Sequence, residues 1–311
     1  MDLQDVYQQV APLVFKVALR DAVSGDGAGC GTAFHIGDGY LVTAYHVVEG
    51  LKAGKLELES LSNGYYDSVG HSPLIIEEIL TPSVVLKRFE EKDPVLYASF
   101  YYSDVALLKT NLDARAYIAA WHGKDSVNRV ESSILLGIAS ERIGVASVGR
   151  PVVCIGYPRI HGTMDCTSAY CYCSHLAAVG RSYHDKLSRF IIHGTPLGGL
   201  SGGPVLIPAD DYGHRAVGLI IENSFERTKE KQDDEDENPP ADYGYLTAIS
   251  LTVVEWMRIE LKVAFPIGDD AEDRVTKAFA TGLKMEEDSQ KPWLQGDWRH
   301  STDDSGNPEV F

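Results

Sequence analysis

The stretch GCGTAFHIGDGYLVTAYHVV (29–48) decides how the fold is read. It holds two short apolar runs, GTAFHI (31–36) and YLVTA (40–44), separated by Gly-Asp-Gly, with His46 where the second run ends. Runs of this length, rich in β-branched and aromatic residues and bounded by Gly and Asp, predict strands. The pattern recurs on both sides: LVFKVAL (13–19) before it, then KLELES (55–60), VALLKT (105–110), PVVCIGY (151–157), RFIIHG (189–194), GPVLI (203–207) and RAVGLIIE (215–222). Strands and helices do not alternate regularly, which argues against a doubly wound parallel sheet and for a sandwich or barrels. No internal repeat is present.

Away from the strands, the acid-bearing start MDLQDVYQQVAPLVFKVALRD fits a short amphipathic helix running into a strand, not a secretory signal. LTVVEWMRIELKVAF (251–265) predicts a second helix, followed by a polar, acidic tail to Phe311 in which DRVTKAFATGLKMEED (273–288) has the pattern of one more. ERTKEKQDDEDENPPADYG (226–244) is a charge-rich loop. KPWLQGDWRH (291–300) sets two tryptophans in a hydrophilic context, as a docking surface or as a segment folded back on its own domain.

Composition narrows the function classes. With 311 residues, 44% of them hydrophobic, the chain is long enough to bury a sizeable core. A net charge of −17 argues against binding nucleic acid or an anionic membrane. No stretch approaches the roughly 20 apolar residues of a membrane span. Five cysteines, an odd number with three crowded together, do not form a tidy extracellular disulfide framework, so a reducing, cytoplasmic setting is expected.

Three segments carry chemistry. TAYHVV (43–48) places His46 at a strand end, YSDVALL (102–108) opens an apolar strand with Asp104, and GGLSGGPV (198–205) holds Ser201 in a glycine-rich turn. Alone, each has an ordinary structural reading as a turn or capping residue. Together, in this order and each beside an apolar strand, they match what nucleophilic serine chemistry requires: an exposed hydroxyl, an imidazole base and a carboxylate that orients it. The glycines allow the open turn and close approach of a substrate carbonyl, with the N–H groups of Gly199 and Ser201 as the natural oxyanion donors.

On GCGTAFHIGDGYLVTAYHVV, SDVALL, CIGYP, GGLSGGPV and AVGLIIE, the chain resembles the chymotrypsin/trypsin-like serine peptidase family over residues 6 to 260. The separations, 58 residues from His46 to Asp104 and 97 from Asp104 to Ser201, suit that family. The head of the chain looks more like the bacterial and intracellular HtrA-like branch than like secreted digestive enzymes. The resemblance implies an all-β fold of two packed six-stranded antiparallel barrels, about 13–125 and 130–250, within a peptidase domain spanning 1–262, followed by an acidic extension at 263–311. It implies a serine endopeptidase needing no cofactor and acting on protein or peptide substrates, with a regulatory protein partner or the tail as a means of control. The competing reading is a peptidase-fold module that holds peptides in its cleft without turnover.

Departures from the family pattern sharpen these expectations. Tyr45 replaces the small residue that usually precedes the histidine. Cys30 occupies a position that is half of a disulfide in secreted relatives, but Val47 stands near where its partner would be, so Cys30 is expected to be a free, buried thiol. Leu200 replaces the aspartate used in zymogen activation. Thr195 falls at the base of the primary pocket, which argues against strict Arg or Lys specificity. Ile220, Ile221 and Glu222 would form a pocket wall and an edge for a substrate strand. His193, near the pocket, would serve a structural hydrogen bond or favour an acidic side chain. Cys166, Cys171, Cys173 and His175 contain the residue types of a zinc set, and on a strand 171, 173 and 175 share one face. Their spacing matches no common zinc motif, so they are read as ordinary thiols with no metal. His35, His71, His161 and His184 are read as surface or turn histidines.

Overall fold

Helix α1 (Leu3–Val10) buries Val6 and Val10 and passes through a tight turn at Ala11–Leu13 into β1 (Val14–Asp21). The computed structural model describes residues 3–68, 70, 72–92, 94–101, 103–122, 135–136, 148–159, 168–181, 188–194, 197–210, 213–225 and 244–263. The chain divides into units Met1–Pro266 and Ile267–Phe311, and the second lies outside the described residues. So do the expected loop at 226–243 and the two-tryptophan segment.

The first sheet comprises β1, β2 (Gly27–Gly37), β3 (Tyr40–Thr43), β4 (Leu56–Ser62), β5 (Ile76–Leu80) and β6 (Ala106–Thr110), in the order β4-β1-β2-β3-β6-β5 and antiparallel throughout. The opening stretch folds as the β2–β3 hairpin, with Phe34 opposite Val42. Its turn places Asp38 at φ 47°. Both faces of this sheet are covered: Phe34 and Leu107 lie on one face and Val17 and Leu41 on the other, and all four are fully buried. His35 corrects the reading above: it is buried within β2, and its Nε2 accepts the N–H of Gly39 across the turn at 3.2 Å. Helices fill the connections: α2 (Tyr45–Lys52), α3 (Gly64–Ser68), α4 (Pro82–Val85), α5 (Phe89–Lys92), α6 (Pro94–Tyr101) and α7 (Ala114–His122).

The second sheet contains β7 (Leu135–Leu136), β8 (Pro151–Gly156), β9 (Tyr170–Arg181), β10 (Ser188–His193), β11 (Pro204–Asp210), β12 (Gly213–Phe225) and β13 (Gly244–Ser250). Its order is β11-β8-β9-β10-β13-β12-β7, and a further β11–β12 pairing closes β8 to β13 into a six-stranded antiparallel barrel with β7 appended in parallel. Phe190, Ile192, Leu200, Val205, Ile220 and Leu246 lie in its core. The expected all-β fold of two six-stranded antiparallel barrels, with a short N-terminal helix and a C-terminal helix, is present as one closed barrel and one curled half-barrel sheet. Hydrogen bonds close one sheet fully, whereas the first is curled, with β4 and β5 as its ends.

The two sheets meet at Thr32 on β2. Its N–H donates to the carbonyl of Ser201 at 2.8 Å, and its hydroxyl donates to the carbonyl of Gly199 at 2.8 Å while accepting the N–H of Tyr157 at 2.9 Å. After β13, helix α8 (Thr252–Leu261) returns to the first half, where Trp256 meets Phe89 edge-on at 5.4 Å and Glu260 pairs with Arg88. Glu255 and Arg258 on α8 are both buried, and burial pushes the Glu255 carboxyl up to about 8 despite the opposing pull of the guanidinium. No helix among the described residues is long and apolar enough to cross a membrane.

Candidate active site

His46 is the second residue of α2, whose first turn leaves backbone N–H groups without intrahelical partners. Ala44 at the N-cap offers no side-chain acceptor. Asp104 supplies one from a distant part of the chain: its Oδ1 accepts the backbone N–H of His46 at 2.9 Å, and its Oδ2 lies 2.6 Å from His46 Nδ1. One carboxylate thus caps the helix and fixes the imidazole, and its negative charge sits favourably at a helix N-terminus. Asp104 is itself held in a turn after α6, where the hydroxyl of Ser103 donates to the carbonyl of Phe100 at 2.7 Å and β6 begins two residues later. The His46 side chain remains 46% exposed, so its ring can be reached from solvent.

Ser201 sits in the turn that precedes β11. Gly199 has φ +91°, and a Cβ there would lie 2.3 Å from the carbonyl oxygen of Tyr157 and 2.9 Å from Cys30 Sγ. Gly202 has φ +90°, and a Cβ there would fall 1.8 Å from the carbonyl oxygen of Thr32 and 2.5 Å from Thr43 Oγ1. Both positions therefore require glycine on conformational and steric grounds. Backbone bonds bracket the turn: Gly202 N–H donates to Ile220 at 2.7 Å, Ile220 N–H to Gly203 at 2.9 Å, and Arg159 N–H to the carbonyl of Gly198. The Ser201 turn is consequently packed against Thr43, three residues before His46, at the strand end from which α2 starts. Among the described residues, no hydrogen bond engages the N–H of Gly199 or of Ser201.

With this geometry in place, the chain can be compared with known proteins. No protein-family model and no curated protein sequence matches it. Solved structures do. The active form of the Rv3671c protease from M. tuberculosis aligns with TM-score 0.44 and 17% identity over 85% of this chain and 86% of that one. An inactive form from M. tuberculosis H37Rv, carrying a serine-to-alanine substitution, aligns with TM-score 0.42 and 17% identity over 85% and 93%. Likeness at this level carries no argument about this chain.

The remaining residues singled out from sequence are placed as follows. Ile220 is fully buried in the core of the closed barrel, and Ile221 is buried at a bulge where β12 shifts register against β13. Glu222 pairs with Thr247 in that ladder. His193 ends β10 with its side chain exposed, and its carbonyl accepts the Ser174 hydroxyl. Thr195 lies outside the described residues, as do Cys166, His71, His161 and His184. Cys171, Cys173 and His175 fall at alternate positions of β9, where Ser174 and Leu176 point inward. Burial, with Cys173 adjacent, pushes the Cys171 thiol up to about 12. Cys30 is half-buried, less enclosed than expected.

Thr32 is the positioning residue that sequence reading missed. Its two hydroxyl bonds reach Gly199 and Tyr157, separated from it by 167 and 125 residues, and a threonine in the middle of a strand gives no local sign of such partners.

Proposed function

We propose that the chain is a serine endopeptidase that cleaves peptide bonds through an acyl-enzyme on Ser201. The observation that carries this reading is the two-point hold of Asp104 on His46, through ring and backbone, beside the glycine-walled turn of Ser201. In the proposed cycle, the Ser201 hydroxyl oxygen attacks the scissile carbonyl carbon and its proton passes to His46 Nε2, with Asp104 remaining ionised against Nδ1–H. The N–H groups of Gly199 and Ser201 meet the developing oxyanion, each worth about 3 kcal/mol of transition-state stabilisation. Collapse breaks the C–N bond, and His46 returns the proton to the leaving amine. Water then attacks the ester with His46 again as base, which releases the acid product and restores the serine.

The cycle needs no cofactor. The neutral Thr195 at the inferred pocket base favours substrates without a strict Arg or Lys requirement. Control by a protein partner or by the acidic extension fits a chain that has Leu200 in place of the activation aspartate. The test is a fluorophosphonate probe on the full chain, with the adduct mapped by mass spectrometry. Labelling of Ser201 that disappears in Ser201→Ala and His46→Ala is expected. A folded full-length chain that takes no label on Ser201 would overturn the proposal.

A further inference from the structure

We propose that the gap between β4 and β5 is a binding groove for an extended, cationic, apolar peptide segment of a partner protein, which pairs with the outer edge of β5. These strands end the first sheet: β4 pairs only with β1 and β5 only with β6 among the described residues. Between them lies an open groove of about 500 Å³ lined by Leu51, Leu58, Leu74, Ile75, Ile76 and Ile79. Ile75 is 59% exposed and adds its aliphatic side chain to this apolar lining. An unpaired strand edge presents alternating N–H and C=O groups, and the occupant that satisfies them while filling an apolar trough is another extended chain.

Charge selects the kind of chain. Glu77 and Glu78 complete the lining, both exposed, and among the described residues no basic side chain contributes to it. The lysine opposite Glu78 in the ladder, Lys109, is engaged elsewhere: its Nζ donates to the carbonyl of Asp38 at 2.5 Å and sits 4.3 Å above the Tyr40 ring. On the facing edge, Glu57 is held by Arg20, and Glu59 is exposed. Closing the sheet directly would bring these carboxylate-bearing edges together, which like charges oppose. Pairing with a second copy through β5 would likewise set Glu77 and Glu78 against themselves, at a bulge that already disturbs the edge. A strand alternating Lys or Arg with apolar residues satisfies the carboxylates, the apolar wall and the free backbone at once. Leu51 belongs to α2, so the occupant touches the same eight-residue helix that presents His46.

The test uses full-length chain carrying Ser201→Ala, which keeps a peptide probe intact whether or not the protein is a peptidase. Fluorescence anisotropy is read with a labelled octapeptide alternating Val and Lys, its Val/Glu twin, and a Val/Lys version with prolines that cannot pair. Saturable binding of the first, at least tenfold weaker binding of the other two, and hydrogen-exchange protection of the amides of 76–80 are expected. Glu77→Lys with Glu78→Lys should weaken the Val/Lys probe at least tenfold. Glu90→Lys with Glu91→Lys, an equal charge change on α5, should leave it within twofold. Equal loss in both double variants would mean diffuse attraction to an acidic protein and would overturn the proposal. So would protection confined to other strands, or a dimer in sedimentation that Ile75→Asp dissolves.

Discussion

Replacing Asp104 with asparagine isolates the orienting role from the capping role. The amide oxygen can still accept the His46 N–H that Asp104 now holds at 2.9 Å, so α2 keeps its cap. The other contact, 2.6 Å to Nδ1, changes sign: an NH₂ group faces the ring and selects the tautomer with hydrogen on Nε2. That tautomer cannot take a proton from Ser201. In serine hydrolases this single change lowers kcat about 10⁴-fold, which corresponds to about 5.5 kcal/mol of barrier. The cost in stability should stay below about 1 kcal/mol, because Asp104 is partly solvated and the backbone bond survives. Asp104→Ala removes both contacts and should cost a further 1 kcal/mol or so through the lost cap. The assay pairs the second-order rate constant for fluorophosphonate labelling of Ser201 with urea denaturation of the same samples. An asparagine variant that labels within tenfold of the wild-type rate while folding normally would refute the assignment of Asp104 as the orienter.

Other outcomes follow from the same geometry. Gly202→Ala forces a Cβ against the carbonyl of Thr32 at a positive φ, so a loss of about 3 kcal/mol or more in urea denaturation is expected, together with loss of labelling; a midpoint unchanged from wild type would contradict the described turn. Thr32→Val keeps the shape but removes both hydroxyl bonds at the seam, and should cost about 1–3 kcal/mol and slow labelling through a loosened Gly199, as measured by the same pair of assays. Glu255 is held with a raised pKa of about 8 by burial, so the folded chain keeps a proton that the unfolded chain releases above about 4.5. Stability should therefore decline as pH rises across that interval and level off above about 8. Denaturation at pH 5, 7 and 9 checks this, and Glu255→Gln should flatten the slope; an unchanged slope would assign the pH dependence to other groups.

The short apolar runs bounded by turn residues were legible in the sequence. LVFKVAL, GTAFHI, YLVTA and VALLKT fold as strands within a residue or two of the expected bounds, except that GTAFHI begins earlier, at Gly27. β5, β9 and β13 were not legible. IEEIL carries two adjacent acids, YCYCSHLAAVGR is small and polar over much of its length, and GYLTAIS follows a long charged stretch of sequence. Their extended state comes from neighbours across the ladder, such as Ile192 beside Leu246, which no local window contains. His46 does follow the end of the strand YLVTA, but nothing local shows that Tyr45 begins a helix there. Its first turn is completed by Asp104, 58 residues away.

The sequence by itself determined the candidate chemistry: residue types, their order, and a glycine-rich turn around Ser201. Composition and local pattern suffice there because a glycine turn and an apolar strand are short-range properties. Only the tertiary structure decided that one carboxylate both caps α2 and grips His46, that Thr32 ties the Ser201 turn to the first sheet, and that β4 and β5 end this sheet among the described residues. Each of these depends on hydrogen-bond partners or edges brought together from distant parts of the chain, and such pairings are set by how the sheets close and pack rather than by any neighbouring residue.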